Sequence, residues 1–210
     1  MTGGRVLSTR TFEQRENAVD AALAALRRGE PVGVPTDTVY GLAVDAADAD
    51  AIQQLFELKD RPAERSIAVL VADLAAAETL VELTPSARRL AERFWPGPLT
   101  IVASRRPTAP AHLGTGATIG VRLPGDDMMQ AIAGPGPLAV TSANLHGGPT
   151  PSTAQGVAGL FPTLGLVVDG GPRPGASSTV VDMTGDVPTV LREGPISLDE
   201  ILAAAQEWES

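Results

Sequence analysis

The sequence contains no cysteine, only two histidines and only seven aromatic residues. The absence of cysteine excludes disulfides, thiol nucleophiles, iron–sulfur clusters and cysteine-ligated zinc, and it is typical of a reducing compartment. Two histidines, His112 and His146, leave little room for a metal site built from imidazoles. Few aromatic rings and a formal net charge of −9 argue against a general nucleic-acid-binding surface.

No segment of the sequence has the character of a membrane anchor or a targeting signal. Residues 128–168 carry no charged side chain, but five prolines interrupt them and no apolar run approaches ~20 residues. Residues 1–17 lack the apolar core of a secretion signal. A length of 210 residues is typical of one domain. We therefore expect a single cytoplasmic domain over residues 1–210, without membrane contact, whose motif-bearing core spans about residues 31–194.

Hydrophobic periodicity and helix-capping residues predict an alternation of helices and strands. Helices are predicted over residues 12–28, 48–59, 85–94, 126–133, 152–160 and 197–208. Strands are predicted over residues 31–35, 66–71, 99–103, 118–123, 138–141, 166–168, 179–183 and 189–192. Because several late strands follow one another without a helix, a mixed sheet is favoured over a purely parallel one. The predicted fold class is α/β, a single domain with a twisted mixed β-sheet flanked by helices.

The distribution of cations is unusual, because the chain has one lysine against fifteen arginines. Lys59 ends a predicted helix, and Arg61 and Arg65 place three cations within seven residues. The lysine is either a chance survivor in an arginine-rich composition or a position that needs a compact ammonium, as phosphate sites often do. Arg122 and Arg192 each end an apolar strand, as ordinary strand-end charges or as members of the same site. With Lys59 and Arg61, these two arginines would give one cavity four cations, which in an acidic protein favours a small anionic ligand over a polymer.

Two polar loops follow predicted buried strands, where α/β proteins often place ligands. The first contains Thr36, Asp37, Thr38 and Tyr40. It is either a hydroxyl- or Asp-supported turn with the tyrosine in the core, or part of a binding site. The second, residues 141–150, combines hydroxyls and an amide with a Gly-Gly pair that lets backbone N–H groups approach a nucleotide. The sequence contains neither the Rossmann nor the P-loop glycine signature.

Seven short motifs occur in a fixed order over about three quarters of the chain. They are PTDTVYGL at 35–42, K-x-R at 59–61, WPGPLT at 95–100, RLP at 122–124, TSAN at 141–144, GASSTVVD at 175–182 and LREG at 191–194. This ordered set resembles the YrdC/Sua5 family in its short, single-domain form. The resemblance implies a YrdC-like fold with a concave, positively charged cavity. It also implies synthesis of threonylcarbamoyl-AMP from L-threonine, bicarbonate and ATP, with release of pyrophosphate.

The resemblance carries over to individual residues. It implies that ATP contacts Lys59, Arg61, Thr118, Ser142, Thr150 and Arg192, and that Asn144 helps to order the nucleotide pocket. It implies that L-threonine contacts Thr36 and Arg122, with Tyr40 in the same loop. Lys59 and Arg61 are expected to act in catalysis from exposed positions in a cleft. Mg²⁺ is expected with the triphosphate, and no residue is assigned as a protein metal ligand.

This assignment agrees with elementary chemistry, because the reaction brings two anions together and depends on positioning and electrostatics more than on a protein nucleophile. The product is expected to pass to a tRNA threonylcarbamoyl transferase that modifies adenosine 37. One departure from the family pattern is Leu70, where many members carry a histidine near the amino-acid pocket. A second is Arg65-Ser66, where the family often has a basic residue and a proline.

Two alternatives keep the fold and change the function. One is a carbamoyl-adenylate-forming enzyme that uses another acyl partner, as in larger relatives that carry extra domains. The other is an RNA-binding module, since this kind of fold has a concave positive surface; the net charge and the few aromatic residues argue against it. Direct RNA binding is the least favoured of the three hypotheses.

Overall fold

The computed structural model describes residues 5–59, 67–113, 116–145 and 147–206. The strands in these ranges are β1 (Arg5–Ser8), β2 (Val32–Val34), β3 (Gly41–Asp45), β4 (Ala68–Leu70), β5 (Val81–Glu82), β6 (Leu99–Arg105), β7 (Thr118–Arg122), β8 (Leu138–Ser142), β9 (Leu166–Asp169), β10 (Thr179–Asp182) and β11 (Thr189–Arg192). The helices are α1 (Phe12–Arg27), α2 (Ala49–Leu58), α3 (Leu74–Leu80), α4 (Pro85–Phe94), α5 (Asp127–Ala133), α6 (Ala154–Leu160) and α7 (Leu198–Gln206). In this part of the chain, no helix has both the length and the hydropathy of a membrane span.

All eleven described strands belong to one mixed sheet. Its order is β1-β9-β2-β3-β8-β4-β7-β6-β10-β11, and β5 pairs with β6 beside this path. Four neighbouring pairs are parallel, namely β1 with β9, β2 with β9, β4 with β7 and β6 with β10, and the others are antiparallel. The predicted α/β fold with a mixed sheet is confirmed.

The predicted helices and strands are all present, with ends that differ by one or two residues, and the final predicted helix runs on into residues outside the described part. Four elements were not predicted, namely β1, β3, α3 and β5. β3 begins at a glycine directly after the polar loop, so the sequence there favours a turn. The α3 segment, LAAAETL, carries no clear apolar stripe, and its start depends on the Asp73 side chain, which accepts a hydrogen bond from the Ala76 backbone N–H at 2.7 Å.

Side chains of the central strands alternate between two hydrophobic cores, because successive residues of a strand point to opposite faces. On β8, Ala139 belongs to the core under α2, α4, α6 and α7, whereas Leu138 and Val140 belong to the core under α1 and α5. Helices α1 and α5 pack on β9, β2, β3, β8 and the edge of β4. Over β7, β6, β10 and β11 none of the described helices covers this face, and a cavity lies there.

Helix α2 carries the lysine to the sheet. The Asp48 side chain accepts hydrogen bonds from the Asp50 and Ala51 backbone N–H groups at 3.0 Å each, which fixes the start of the helix. Ile52, Leu55 and Phe56 form its buried face. The helix ends at Leu58, and Lys59 is its C-cap.

The segment between β9 and β10, residues 170–178, connects strands that are seven positions apart in the sheet. We call it the β9–β10 linker. It packs closely on the loop between β2 and β3, where a Cβ on Gly170 would lie 2.7 Å from Pro35 and a Cβ on Gly175 would lie 2.7 Å from the Thr38 carbonyl oxygen. Side chains at these two linker positions would displace that loop.

Candidate active site

The open part of the sheet forms the floor of a cavity of about 450 Å³. Its lining follows the two-residue period of the strands, with Ala68 and Leu70 on β4 and Thr100 and Val102 on β6. Ala68, Gly120 and Val102 are register neighbours across β4, β7 and β6. The middle of the floor is therefore small and apolar, and the polar groups stand around it.

Lys59 marks one side of the cavity. Its ammonium donates to the Thr141 hydroxyl at 3.0 Å and makes a short hydrogen bond to the Ser142 carbonyl oxygen. The residue is only 3% exposed, so the expectation of an exposed lysine in a cleft is wrong. Burial is tolerated because the ammonium has polar partners at the end of β8. Arg61, which was predicted beside it, lies outside the described residues.

Asn144 holds the loop that follows β8 next to this lysine. Its side-chain amide N–H groups donate to the carbonyl oxygens of Leu145 at 2.8 Å and Gly148 at 3.0 Å. Its side-chain oxygen accepts a short hydrogen bond from the Ser142 hydroxyl. Ser142 and Asn144 both line the cavity, so the side chain that fixes this loop also forms part of the cavity wall.

Arg122 at the end of β7 is held by the loop between β2 and β3. Its Nη2 donates to Asp37 Oδ1 at 2.6 Å, its Nη1 to the Thr38 hydroxyl at 3.1 Å and its Nε to the Gly97 carbonyl oxygen at 3.0 Å. A guanidinium has five N–H donors, so one N–H on each Nη remains beyond these three bonds. Arg122 is 5% exposed and lines the cavity.

The direction of the hydroxyl hydrogen bonds in this loop follows from counting protons. Thr36 Oγ1 lies 2.6 Å from the Val39 carbonyl oxygen, to which it donates its single proton. The 3.0 Å contact between the Thr36 and Thr38 hydroxyls therefore takes its proton from Thr38, whose oxygen accepts from Arg122. Thr36 also accepts from the Thr38 and Val39 backbone N–H groups at 3.2 Å, which is a threonine-supported turn. The loop is therefore a local turn that also faces the cavity, and its role in binding stays a prediction.

Arg192 on β11 stands on a third side. Its Nε donates to the Ser178 carbonyl oxygen and its Nη2 to the Ser178 hydroxyl, both at 3.0 Å. The Ser178 and Thr100 hydroxyls are 2.9 Å apart. All three residues line the cavity. Thr100 and Ser178 belong to two of the sequence motifs, WPGPLT and GASSTVVD, but neither was predicted as a site residue.

The electrostatics favour an anionic ligand. Among the described lining residues there are three cations, Lys59, Arg122 and Arg192, and no carboxylate. Burial lowers the pKa of Arg192, and repulsion by Arg122 lowers it further. Burial also lowers the pKa of Arg122, although the Asp37 carboxylate opposes this change. An anion placed between the two arginines relieves their repulsion and replaces the hydration that they have lost.

The described residues do not fit a protein-held Mg²⁺ ion. They contain no cluster of three or more acidic or histidine side chains that could ligate a metal. The Asp37 carboxylate, which contacts the cavity residue Arg122, is paired with it at 2.6 Å. Mg²⁺ prefers oxygen ligands and usually keeps water and phosphate oxygens around it, so an ion carried by the phosphates of a ligand needs no such cluster.

Four other residues predicted for the site differ in whether they line the cavity. Thr118, Ser142 and Thr36, which were predicted as site residues, line the cavity, and their contacts with substrates stay predictions. Thr150 does not, and lies instead in a separate apolar groove beside Leu145. Its predicted contact with ATP stays a prediction.

Tyr40 borders the cavity but its side chain is fully buried. The hydroxyl donates to the Gly171 carbonyl oxygen at 2.8 Å, which ties the β9–β10 linker to the loop. Burial, together with the negative charge of Asp169, raises the pKa of Tyr40 to about 12. Its predicted contact with the amino acid stays a prediction, and its visible contacts are structural.

The ordered motifs that suggested the YrdC/Sua5 resemblance surround this cavity. A family model described as Sua5_yciO_yrdC, telomere recombination, matches residues 24–194. The chain belongs to the Sua5/YciO/YrdC family. The matched range includes all three cavity cations and the β9–β10 linker.

Relatives in this family include proteins of known name and structure. The chain is 38% identical to a threonylcarbamoyl-AMP synthase of Pyrococcus abyssi over 86% of its own length and 55% of the relative. It is 38% identical to a protein of the same name from Bacillus subtilis over 87% of the chain and 55% of the relative. A crystal structure of P. abyssi Sua5 complexed with L-threonine superposes with a TM-score of 0.88 at 35% identity, covering 97% of this chain and 61% of that one. The chain thus spans about half the length of these two curated relatives.

Proposed function

We propose that this member of the Sua5/YciO/YrdC family makes L-threonylcarbamoyl-AMP from L-threonine, bicarbonate and ATP. The observation that carries the proposal is the group of three cations around an apolar floor, two of them buried (Lys59 and Arg122), with no carboxylate among the described lining residues. The relatives named threonylcarbamoyl-AMP synthase and the relative complexed with L-threonine support this substrate set.

The proposed reaction has two steps. The amino group of threonine attacks the carbon of bicarbonate, and loss of water leaves an N-carboxylate, a carbamate. A carbamate oxygen then attacks the α-phosphorus of ATP, the α–β phosphoanhydride bond breaks, and pyrophosphate leaves with the bond electrons. Because a carbamate must approach a polyanion, the protein contributes chiefly by holding and neutralising negative charge.

The positions of the side chains support two ends within the cavity. At the nucleotide end, Lys59 and Arg192 bind phosphate oxygens, and Thr118, Ser142 and Asn144 contribute polar contacts. At the amino-acid end, Arg122 binds the carboxylate of threonine through its remaining N–H groups beside Thr36. Arg61 and Thr150 are proposed as further ATP contacts on the family resemblance alone.

The product is a mixed carbamic–phosphoric anhydride, which water can hydrolyse. We therefore propose that the enzyme works in the cytoplasm beside a tRNA threonylcarbamoyl transferase that consumes the product. Mg²⁺ is proposed to enter with the phosphates of ATP, since the described residues offer it no site.

The direct test measures pyrophosphate release from ATP and bicarbonate with each amino acid in turn, followed by mass spectrometry of the nucleotide. Release that depends on threonine, with the mass of threonylcarbamoyl-AMP, is the expected result. A parallel series replaces bicarbonate and the amino acid with carbamoyl phosphate. Turnover in that series alone would contradict the proposal and indicate a carbamoyl-adenylate-forming enzyme.

Variants locate the activity in the cavity. Lys59→Met keeps the aliphatic stem and removes the ammonium, and we expect pyrophosphate release to fall by about 10²- to 10³-fold. Arg192→Gln should have an effect of the same order. The matched control is Arg28→Gln, which also removes one positive charge but lies on the surface, where its side chain is 58% exposed. Equal activity of Lys59→Met and Arg28→Gln would place the chemistry elsewhere.

A further inference from the structure

Arg173 is a half-buried connection that none of the sequence motifs explains. It lies on the β9–β10 linker, outside the cavity lining. Its Nε donates to the Thr36 carbonyl oxygen at 2.6 Å and its Nη2 to Asp126 Oδ2 at 2.8 Å. Its Nη1 donates to the carbonyl oxygens of Gly170 at 2.7 Å and Pro172 at 3.2 Å. One side chain therefore joins three segments of the chain.

The first of these segments is the loop that holds Arg122. The Thr36 carbonyl oxygen belongs to the peptide that leads into Asp37, whose carboxylate pairs with Arg122. Arg173 thus fixes the backbone of the loop from one side, while Arg122 contacts the Asp37 and Thr38 side chains from the other. Rotation of this peptide would move the Asp37 carboxylate away from Arg122.

The second segment is the start of α5. Asp126 Oδ1 accepts a hydrogen bond from the Met129 backbone N–H at 3.0 Å, and its Oδ2 receives Arg173. The side chains of Arg173 and Asp126 are 22% and 12% exposed, so the ion pair is largely shielded from water. Since Asp126 caps a helix, it is a fixed anchor for the guanidinium.

The third segment is the linker itself. The Arg173 backbone N–H donates to the Ser152 carbonyl oxygen at 2.7 Å. The same stretch receives the Tyr40 hydroxyl at Gly171. The backbone that carries the guanidinium is therefore held in place, which limits how far the guanidinium can follow a displaced loop.

From this geometry we infer that Arg173 is a positioning residue for the amino-acid end of the cavity. It acts through the Thr36–Asp37 peptide and sets the direction of the two Arg122 N–H groups that remain for a carboxylate. The inference rests on the proposed function, since it assigns the threonine carboxylate to Arg122.

The test compares the KM for L-threonine with the KM for ATP in the full-length protein. Arg173→Gln should raise the KM for threonine about tenfold, the loss equivalent to one hydrogen bond to a charged group, and leave the KM for ATP within about twofold. Arg173→Lys should recover part of the effect, because an ammonium can reach one acceptor but lacks the planar fork. Asp126→Asn keeps the helix cap and should raise the threonine KM less than Arg173→Gln does.

The matched control is Arg89→Gln. Arg89 also donates to a backbone carbonyl oxygen, that of Ala205, from Nε at 3.1 Å and Nη2 at 2.6 Å, and it is remote from the cavity lining. We expect Arg89→Gln to lower the thermal unfolding midpoint about as much as Arg173→Gln does. It should leave the ratio of the KM for threonine to the KM for ATP unchanged.

The outcomes distinguish this inference from the proposed function. The inference is overturned if Arg173→Gln raises the KM for threonine and the KM for ATP equally. It is also overturned if the threonine KM of Arg173→Gln and of Asp126→Asn is the same as that of Arg89→Gln. In both cases synthesis by the wild type, and with it the proposed function, still stands. If Arg173→Gln does not fold, Asp126→Asn and Arg173→Lys carry the comparison. A wild type that makes no threonylcarbamoyl-AMP would overturn the proposed function and this inference together.

Discussion

Raising the pH tests the contact that holds the β9–β10 linker, because Tyr40 is the only tyrosine in the chain. Its hydroxyl is buried and donates to the Gly171 carbonyl oxygen at 2.8 Å. Burial and the charge of Asp169 raise its pKa from 10.0 to about 12. The structure therefore predicts that the folded protein keeps the phenolic proton over a range in which the unfolded chain has lost it.

The sign and size of the effect on stability follow from linkage. Below pH 10 both states hold the proton, and the contribution of Tyr40 is fully present. Between pH 10 and 12 the unfolded state releases its proton first, so the free energy of unfolding falls as the pH rises. A difference of two units between the pKa of the folded and the unfolded state corresponds to a loss of about 3 kcal/mol in the free energy of unfolding. Above the folded-state pKa this group causes no further loss.

The assay is an alkaline titration of the near-ultraviolet absorbance of tyrosinate, with guanidinium-unfolded protein as the reference. We expect a midpoint near pH 12 in the folded protein and near pH 10 in the unfolded one. Tyr40→Phe should show no such transition. It should also be less stable at neutral pH by about 1 kcal/mol, because the part-buried Gly171 carbonyl oxygen loses its donor.

A folded-state midpoint near pH 10 would refute the reasoning. It would mean that the hydroxyl meets water and that Tyr40 does not hold the linker. A stability that is independent of pH between 10 and 12 in the wild type, measured by denaturant unfolding, would lead to the same conclusion. The linker that carries Arg173 would then lack one of the contacts that hold it in place.

Two further substitutions probe the site. Asp37→Asn leaves the buried Arg122 without its counter-charge, so we expect a loss of about 2 kcal/mol in denaturant unfolding and tighter calorimetric binding of pyrophosphate; a change in neither would contradict the pairing. In Gly194→Ala the new Cβ would lie 2.3 Å from the Thr179 backbone nitrogen, so we expect a loss of about 3 kcal/mol or more in unfolding experiments. Gly185→Ala, where no atom lies within 4 Å, is its control, and equal midpoints for the two variants would count against the packing described here.

The fold was largely predictable because its signals are local. Helix α2 shows an Asp48 cap and an apolar stripe, and both lie within a dozen residues of sequence. In contrast, β3 is a strand only because it pairs with β2 and β8, and its leading Gly41 favours a turn when read alone.

The site was predictable where a cation ends a strand or helix. Arg122 and Arg192 could be found in this way, and Lys59 by its rarity. The burial of Lys59 was not predicted, since it depends on acceptors at positions 141 and 142, far along the chain. Arg173 gave no signal because its acceptors are mostly backbone carbonyl oxygens, which every sequence supplies.

The β9–β10 linker also limits how far the sheet can open. Along the sheet, β9 and β10 are seven spacings apart, about 34 Å at ~4.8 Å each. The chain from Asp169 to Thr179 makes ten residue steps, which reach at most about 36 Å when fully extended. A flat sheet would therefore require a nearly straight linker, yet this linker bends to contact Pro35 and Thr38.

The sheet must accordingly curve so that its two distant strands come closer together than a flat arrangement allows. The curvature of the sheet and the length of the linker are thus coupled, because the nine linker residues tether β9 to β10. The width available to a ligand between Lys59 and Arg192 is then a property of chain length as well as of the side chains that line the cavity.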